Sequence, residues 1–188
     1  MNDKDTKPRS DDRETGKREF SFRFTTRNLT ALGLLLALEI VLSRFLSVAA
    51  WNMKIGFSFV PVVVAAVVFG PVSAAVVAGL GDLLGALLFP IGPYFPGFTL
   101  TAILTGLTFG LFLYRRRSVP RALGAVLVAQ PVLSLLLNSL WISVLYGSPF
   151  SPLLVSRIPQ TIIHGVLELA LIWALSRNEK FILMLKDR

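Results

Sequence analysis

The chain has 188 residues, the length of one domain, with 54% hydrophobic and only 16% charged side chains. A mean hydropathy of +0.68 excludes an ordinary soluble globule. The net charge of +8 does not mark a nucleic-acid binder, because the basic residues flank apolar segments, as they do in polytopic membrane proteins. The absence of cysteine excludes disulfides, a thiol nucleophile and Cys-ligated zinc or iron–sulfur sites.

Residues 1–28 hold 14 of the 30 charged side chains, of both signs, and predict a disordered cytoplasmic tail. They lack the short basic run followed at once by an apolar run that makes a signal peptide. A domain over 29–178 then carries six apolar segments, at 29–48, 55–69, 72–89, 99–114, 122–146 and 152–175, which predict an all-α membrane protein, a six-transmembrane-helix bundle. The second segment is short and the fifth long, so neither need cross the bilayer perpendicularly. Gly70-Pro71 is a breaker between the second and third. Residues 90–98, with three prolines, predict an ordered loop. Residues 179–188 form a short basic tail. No segment alternates polar and apolar residues, so an outer-membrane barrel is excluded.

Lys and Arg set the orientation. With both termini cytoplasmic, 16 of the 19 fall inside: in the N-terminal tail, the 115–121 loop and the C-terminus. The other three, Arg44, Lys54 and Arg157, fall near the outer helix ends. Each alone fits a snorkelling interfacial residue; three on one side of a small bundle also fit an anionic ligand arriving from outside.

Inside the spans, Arg157, Thr161, His164 and Glu168 share one stripe of the sixth helix. Gln130, Ser134, Asn138 and Trp141 do the same on the fifth. Two polar stripes can glue neighbouring helices together, or they can line a cavity. Intramembrane charges cost roughly 3 kcal/mol or more each and usually face a cavity or a partner. In the third helix Ala74, Ala78, Gly81 and Gly85 form a small-residue face suited to close packing, with Asp82 beside it. Glu39 is the third intramembrane acid. Aromatic residues, among them Trp51, Phe57, Tyr94, Phe98 and Trp141, gather towards the outer side, where an interfacial belt or a stacking site both account for them. A flat heterocycle stacked on such rings gains roughly 1–3 kcal/mol per stack. Rings, basic groups and a polar seam together suit a planar anion.

Three stretches carry a resemblance: Lys54-Ile55-Gly56-Phe57-Ser58-Phe59-Val60-Pro61, Phe69-Gly70-Pro71 through Gly81-Asp82-Leu83-Leu84-Gly85, and Gly92-Pro93-Tyr94-Phe95-Pro96-Gly97-Phe98-Thr99. With the six-span layout over 26–178 they resemble the substrate-binding (S) components of energy-coupling factor (ECF) vitamin transporters, most closely the folate-specific branch. The resemblance implies a membrane protein that binds one vitamin from outside and docks on a transmembrane coupling subunit carrying two ATP-binding cassette ATPases. It also implies that the S component topples in the membrane to deliver its ligand. Its activity is then binding, not catalysis, and no cofactor or metal is implied. The family's Ala-x-x-x-Ala docking pattern on the first helix is replaced here by Gly33 and Ala37, while an Ala-x-x-x-Ala stands at Ala74 and Ala78 of the third.

Folate joins a flat pterin to a glutamate with two carboxylates. Trp51, Phe98 or Trp141 would stack on the pterin, with Asp82, Asn138 or His164 on its polar edge, while Arg44, Lys54 and Arg157 would take the carboxylates. Phe57 and Tyr94 complete the expected ligand contacts. The alternatives are an S component for another vitamin or heterocycle, and a proton-coupled carrier using Glu39, Asp82 and Glu168. An enzyme acting on a lipid is the remaining class, and no nucleophile–base pair or phosphate-binding loop supports it.

Overall fold

The structure, a computed structural model, describes residues 26–50, 53–114 and 118–177. Most of the expected N-terminal tail and all of the C-terminal one lie outside these. Helix α1 (Thr26–Arg44) leads into a two-stranded antiparallel hairpin, β1 (Val48–Ala50) and β2 (Met53–Ile55). There follow α2 (Phe59–Val68), α3 (Pro71–Leu88) and α4 (Pro96–Leu113). The next 28-residue stretch is α5 (Val119–Val128), a π-helical segment (Ala129–Leu137) and α6 (Asn138–Tyr146). Helix α7 (Phe150–Arg177) closes the chain.

Among the described residues, five helical stretches are long and apolar enough to cross a membrane, at 26–44, 71–88, 96–113, 119–146 and 150–177; α2 is apolar but only ten residues long. The architecture is helical, with two corrections to the sequence expectation. The hairpin replaces the end of the first expected helix and the start of the second. The ordered loop is shorter than 90–98, because Phe95 caps α4 in an extended conformation and Pro96 takes its first turn. A proline there gives up a donor that has no helical partner anyway.

The core is α2 against α3 and α4. Val63, Ala65 and Ala66 of α2 and Ala74 of α3 are fully buried with Phe109 and Leu113 of α4. Inside a bilayer, apolar burial does not drive helices together, so close backbone approach and van der Waals fit carry the packing. Gly106 supplies that approach: a Cβ there would stand 2.5 Å from the Ala74 carbonyl oxygen, and one on Gly110 would overlap Pro71. Gly70 has φ +94°, which an L side chain rarely adopts, and turns the chain from α2 into Pro71 at the start of α3. Pro131 lies inside the π segment, where its missing N–H and its ring disturb the regular ladder.

Ala74 and Ala78 are buried, so that Ala-x-x-x-Ala pair meets neighbours within the chain. Gly33 and Ala37 instead lie on the exposed side of α1.

Candidate binding cavity

A cavity of about 400 Å³ opens among α1, α3, α4, the π segment and α7. One end is ringed by Arg44, Asp82 and the 91–95 loop, and along α7 it is lined by Arg157, Gln160, His164 and Glu168. The volume is that of a small-molecule site.

The end at Arg44 is built by the Gly81-Asp82-Leu83-Leu84-Gly85 sequence. Gly81 makes room for Glu39 of α1, whose carboxylate a Cβ there would overlap. Gly85 makes room for Arg44, since a Cβ there would stand 2.7 Å from Nε. The aspartate between them answers the arginine: Arg44 Nη2 donates to the Asp82 carbonyl oxygen at 3.3 Å and lies 4.0 Å from Oδ1. Asp82 Oδ2 accepts from the Thr99 hydroxyl at 2.8 Å. That hydroxyl has no second proton, so Tyr94, 3.3 Å away, donates to it. Asp82 therefore ties α1, α4 and the 91–95 loop together.

The wall carries Arg157, only 5% exposed although charged. Its Nε and Nη1 have no hydrogen-bond partner. Gln160 and His164 follow on the same face, and His164 Nε2 accepts from the Gly56 N–H at 3.4 Å, which joins α7 to the end of the hairpin. Asn138 faces them from α6, and Phe98, Phe95 and Phe59 supply ring surface. At the far end Gln130 Nε2 donates to Glu168 Oε1 at 2.6 Å.

Of the residues expected from sequence, Arg44, Asp82, Tyr94, Phe98, Asn138, Arg157 and His164 all line this one cavity. Trp51 lies outside the described residues, and Lys54 is placed by its backbone alone, paired with Ala49 in the hairpin. Phe57 is half exposed and Trp141 packs behind the wall; neither lines the cavity. Trp141 Nε1 donates to Thr101 Oγ1 at 3.0 Å and its ring lies 5.6 Å from that of Phe95, so it props the start of α4. Sequence reasoning passed over Gln160 in favour of Thr161, whose hydroxyl turns back to the Arg157 carbonyl. It also passed over Ser43, Thr105 and Phe109, which line the cavity, and read Phe59, which lines it too, only as one of the outer aromatic residues. Thr105 and Phe109 sit in an apolar run that gives no signal of its own. Among the described residues, no three His, Asp or Glu side chains gather as a metal site would need.

A cavity sunk among membrane-length helices, with a buried cation in its wall and a loop tied over one end, defines a membrane-embedded small-molecule binding protein. A family model for the substrate-specific component of ECF transporters matches residues 27–176, and the chain belongs to that family. It is 39% identical over 128 residues to the folate transporter FolT of Clostridium novyi (strain NT), covering 68% of this chain and 74% of that protein. To the folate transporter FolT of Leuconostoc mesenteroides it is 32% identical over 126 residues, covering 66% and 68%. Among solved structures it is similar to the crystal structure of FolT bound with folic acid, with a TM-score of 0.76 and 32% identity, over 80% of this chain and 93% of that one. The chain is thus a transporter component and not an enzyme, a multi-pass protein of the bacterial cell membrane.

Proposed function

We propose that this chain captures folate in the described cavity and hands it to an ATP-driven module. The observation that carries the ligand assignment is Arg157: a buried guanidinium whose Nε and Nη1 lack partners, on the wall of a cavity with aromatic surface. An uncompensated buried charge is strongly unfavourable, so the site is built for an anion. Folate is anionic at one end and flat at the other, and folate transporters are the relatives of this chain.

In this account Arg157, Arg44 and Lys54 take the glutamate carboxylates. Phe98 and Tyr94 bound the aromatic part, Trp51 and Phe57 are further stacking partners, and Trp141 holds the wall from behind. Asn138 and His164 hydrogen-bond the ligand's middle, and Asp82 holds Arg44 and Thr99 at the mouth. The partners are a transmembrane coupling subunit and two ATP-binding cassette ATPases, met through the exposed Gly33–Ala37 side of α1, where small residues allow close approach. The bundle over 29–178 crosses the membrane with six segments, α2 being the short one. The tails 1–28 and 179–188 lie in the cytoplasm, as the distribution of Lys and Arg asks.

Folate affinity of Arg157→Ala and Lys54→Ala tests this. A charge-assisted hydrogen bond contributes roughly 1.5–3 kcal/mol, so Arg157→Ala weakens binding by about tenfold or more. Unchanged affinity in both variants would end the carboxylate assignment.

A further inference from the structure

The π segment and α6 keep one face on the cavity for longer than an α-helix can. Gln130, Ser134, Asn138 and Ile142 line it at steps of four residues. The outward face keeps the same pace, with Val132, Leu136, Leu140 and Val144 all exposed. In an α-helix a step of four overshoots a full turn by about 40°, so three steps would carry Ile142 about 120° away from Gln130. The residues stay in line because the stretch Ala129–Leu137 winds with more residues per turn and undershoots instead. Its exit shows the wider ladder directly: the Asn138 N–H reaches five residues back to the Leu133 carbonyl.

Nine residues of π-helix exceed the single turn such segments usually span, so something here disfavours the tighter ladder. Pro131 is the residue that does. In an α-helix its ring would press on the Leu127 carbonyl four residues back, and that carbonyl would also lose its donor. In the wider ladder the carbonyl left without a donor is that of Val126, five residues back. The Ala129 N–H covers it, donating to both the Ala125 and Val126 carbonyl oxygens. The π form therefore accommodates the proline without orphaning a buried backbone group.

We propose that Pro131 is a positioning residue for ligand binding. It does not line the cavity itself, but it holds Ala129–Leu137 in the π form and so keeps Asn138 and Ile142 turned into the cavity. The proposal rests on this cavity being the binding site and takes folate, assigned above, as its probe. With alanine at 131 the α ladder regains a donor and loses the clash. The stretch then winds tighter and turns Asn138 and Ile142 off the cavity. Removing residue 131 altogether has the opposite consequence. The four lining residues then stand at offsets 0, 3, 7 and 11, which an α-helix keeps within about 60° of Gln130.

The test compares the full chain in detergent as wild type, as Pro131→Ala and with Pro131 deleted, by folate titration and thermal melt. Pro131→Ala binds folate about tenfold or more weakly, with a melting temperature no lower than wild type. The deletion folds and binds within about threefold of wild type. A Pro131→Ala protein within threefold of wild type overturns the proposal, as does a deletion variant that is as weak as Pro131→Ala or does not fold. If Pro131→Ala does not fold, the deletion variant alone decides by the same limits. A readout without ligand uses Asn138→Cys, since the chain has no cysteine of its own. A water-soluble methanethiosulfonate labels that thiol in the wild-type and deletion backgrounds and clearly more slowly with Pro131→Ala; equal labelling in all three overturns the proposal. Failure of folate to bind the wild type would end the folate assignment and leave this proposal to the labelling.

Discussion

Replacing Gly85 by Ala and Gly81 by Ala should separate ligand binding from packing. The two glycines are one helical turn apart on α3, and each seats a charged side chain of α1. At Gly85 the new Cβ would stand 2.7 Å from Arg44 Nε, 3.3 Å from Nη2 and 3.4 Å from Cζ. Carbon contacts settle at about 3.5–4.0 Å, so the guanidinium must retreat by most of an ångström. It is the far end of a flexible side chain and can do so without parting the helices. Its bond to the Asp82 carbonyl is already 3.3 Å long and does not survive the shift. The loss, about 1 kcal/mol for so long a bond, is offset by the roughly 1 kcal/mol that Ala gains over Gly in a helix. Thermal stability in detergent should therefore stay near wild type while folate affinity falls about fivefold to tenfold.

At Gly81 the clash is with the carboxylate of Glu39, a residue 6% exposed between the helices. Relief there needs the carboxylate to leave its buried place against α3, an overpacking cost of about 1–3 kcal/mol. Gly81→Ala should lower the melting temperature clearly. Isothermal titration with folate and a fluorescence melt on both variants read the contrast. A Gly85→Ala protein with wild-type affinity, or a Gly81→Ala protein as stable as wild type, would refute the seating of Arg44 and Glu39 described above.

Two further substitutions examine residues around the cavity. Thr99→Val keeps the shape but removes the donor to Asp82, freeing Tyr94 and the 91–95 loop; folate should dissociate about tenfold faster by stopped flow, and an unchanged off-rate would show that the loop is held by something else. Trp141→Phe removes the bond to Thr101 and should cost about 1 kcal/mol of stability while changing folate affinity less than threefold, and a larger loss of affinity would place the indole in direct contact with ligand.

Much of this architecture is legible in the sequence because hydropathy and breakers act locally. Gly70-Pro71 reads as a turn and is one, with the glycine at positive φ and the proline opening α3. Arg44 and Arg157 stand out as cations on the wrong side of the bundle, and both line the cavity. What a one-dimensional pattern lacks is helix rotation. Gln160 and Thr161 are neighbours in sequence but about 100° apart around α7, and only Gln160 lines the cavity. Trp141 shares an α-helical stripe with Gln130 on paper. The wider turns of the π segment at 129–137 shift every residue beyond it, so Asn138 lines the cavity while Trp141 lies behind the wall. The hairpin left no trace, since three-residue strands beside an apolar helix show no alternation to read. Glycine at 81 and 85 looked like a packing face; its second use, seating Glu39 and Arg44, depends on which helix lies opposite.

The most direct measurement is a titration of the purified chain in detergent with folate, riboflavin, thiamine and biotin, without ATP or partner subunits. The account predicts saturable binding of folate alone. Binding of one of the other three instead, or of none of the four, would contradict it.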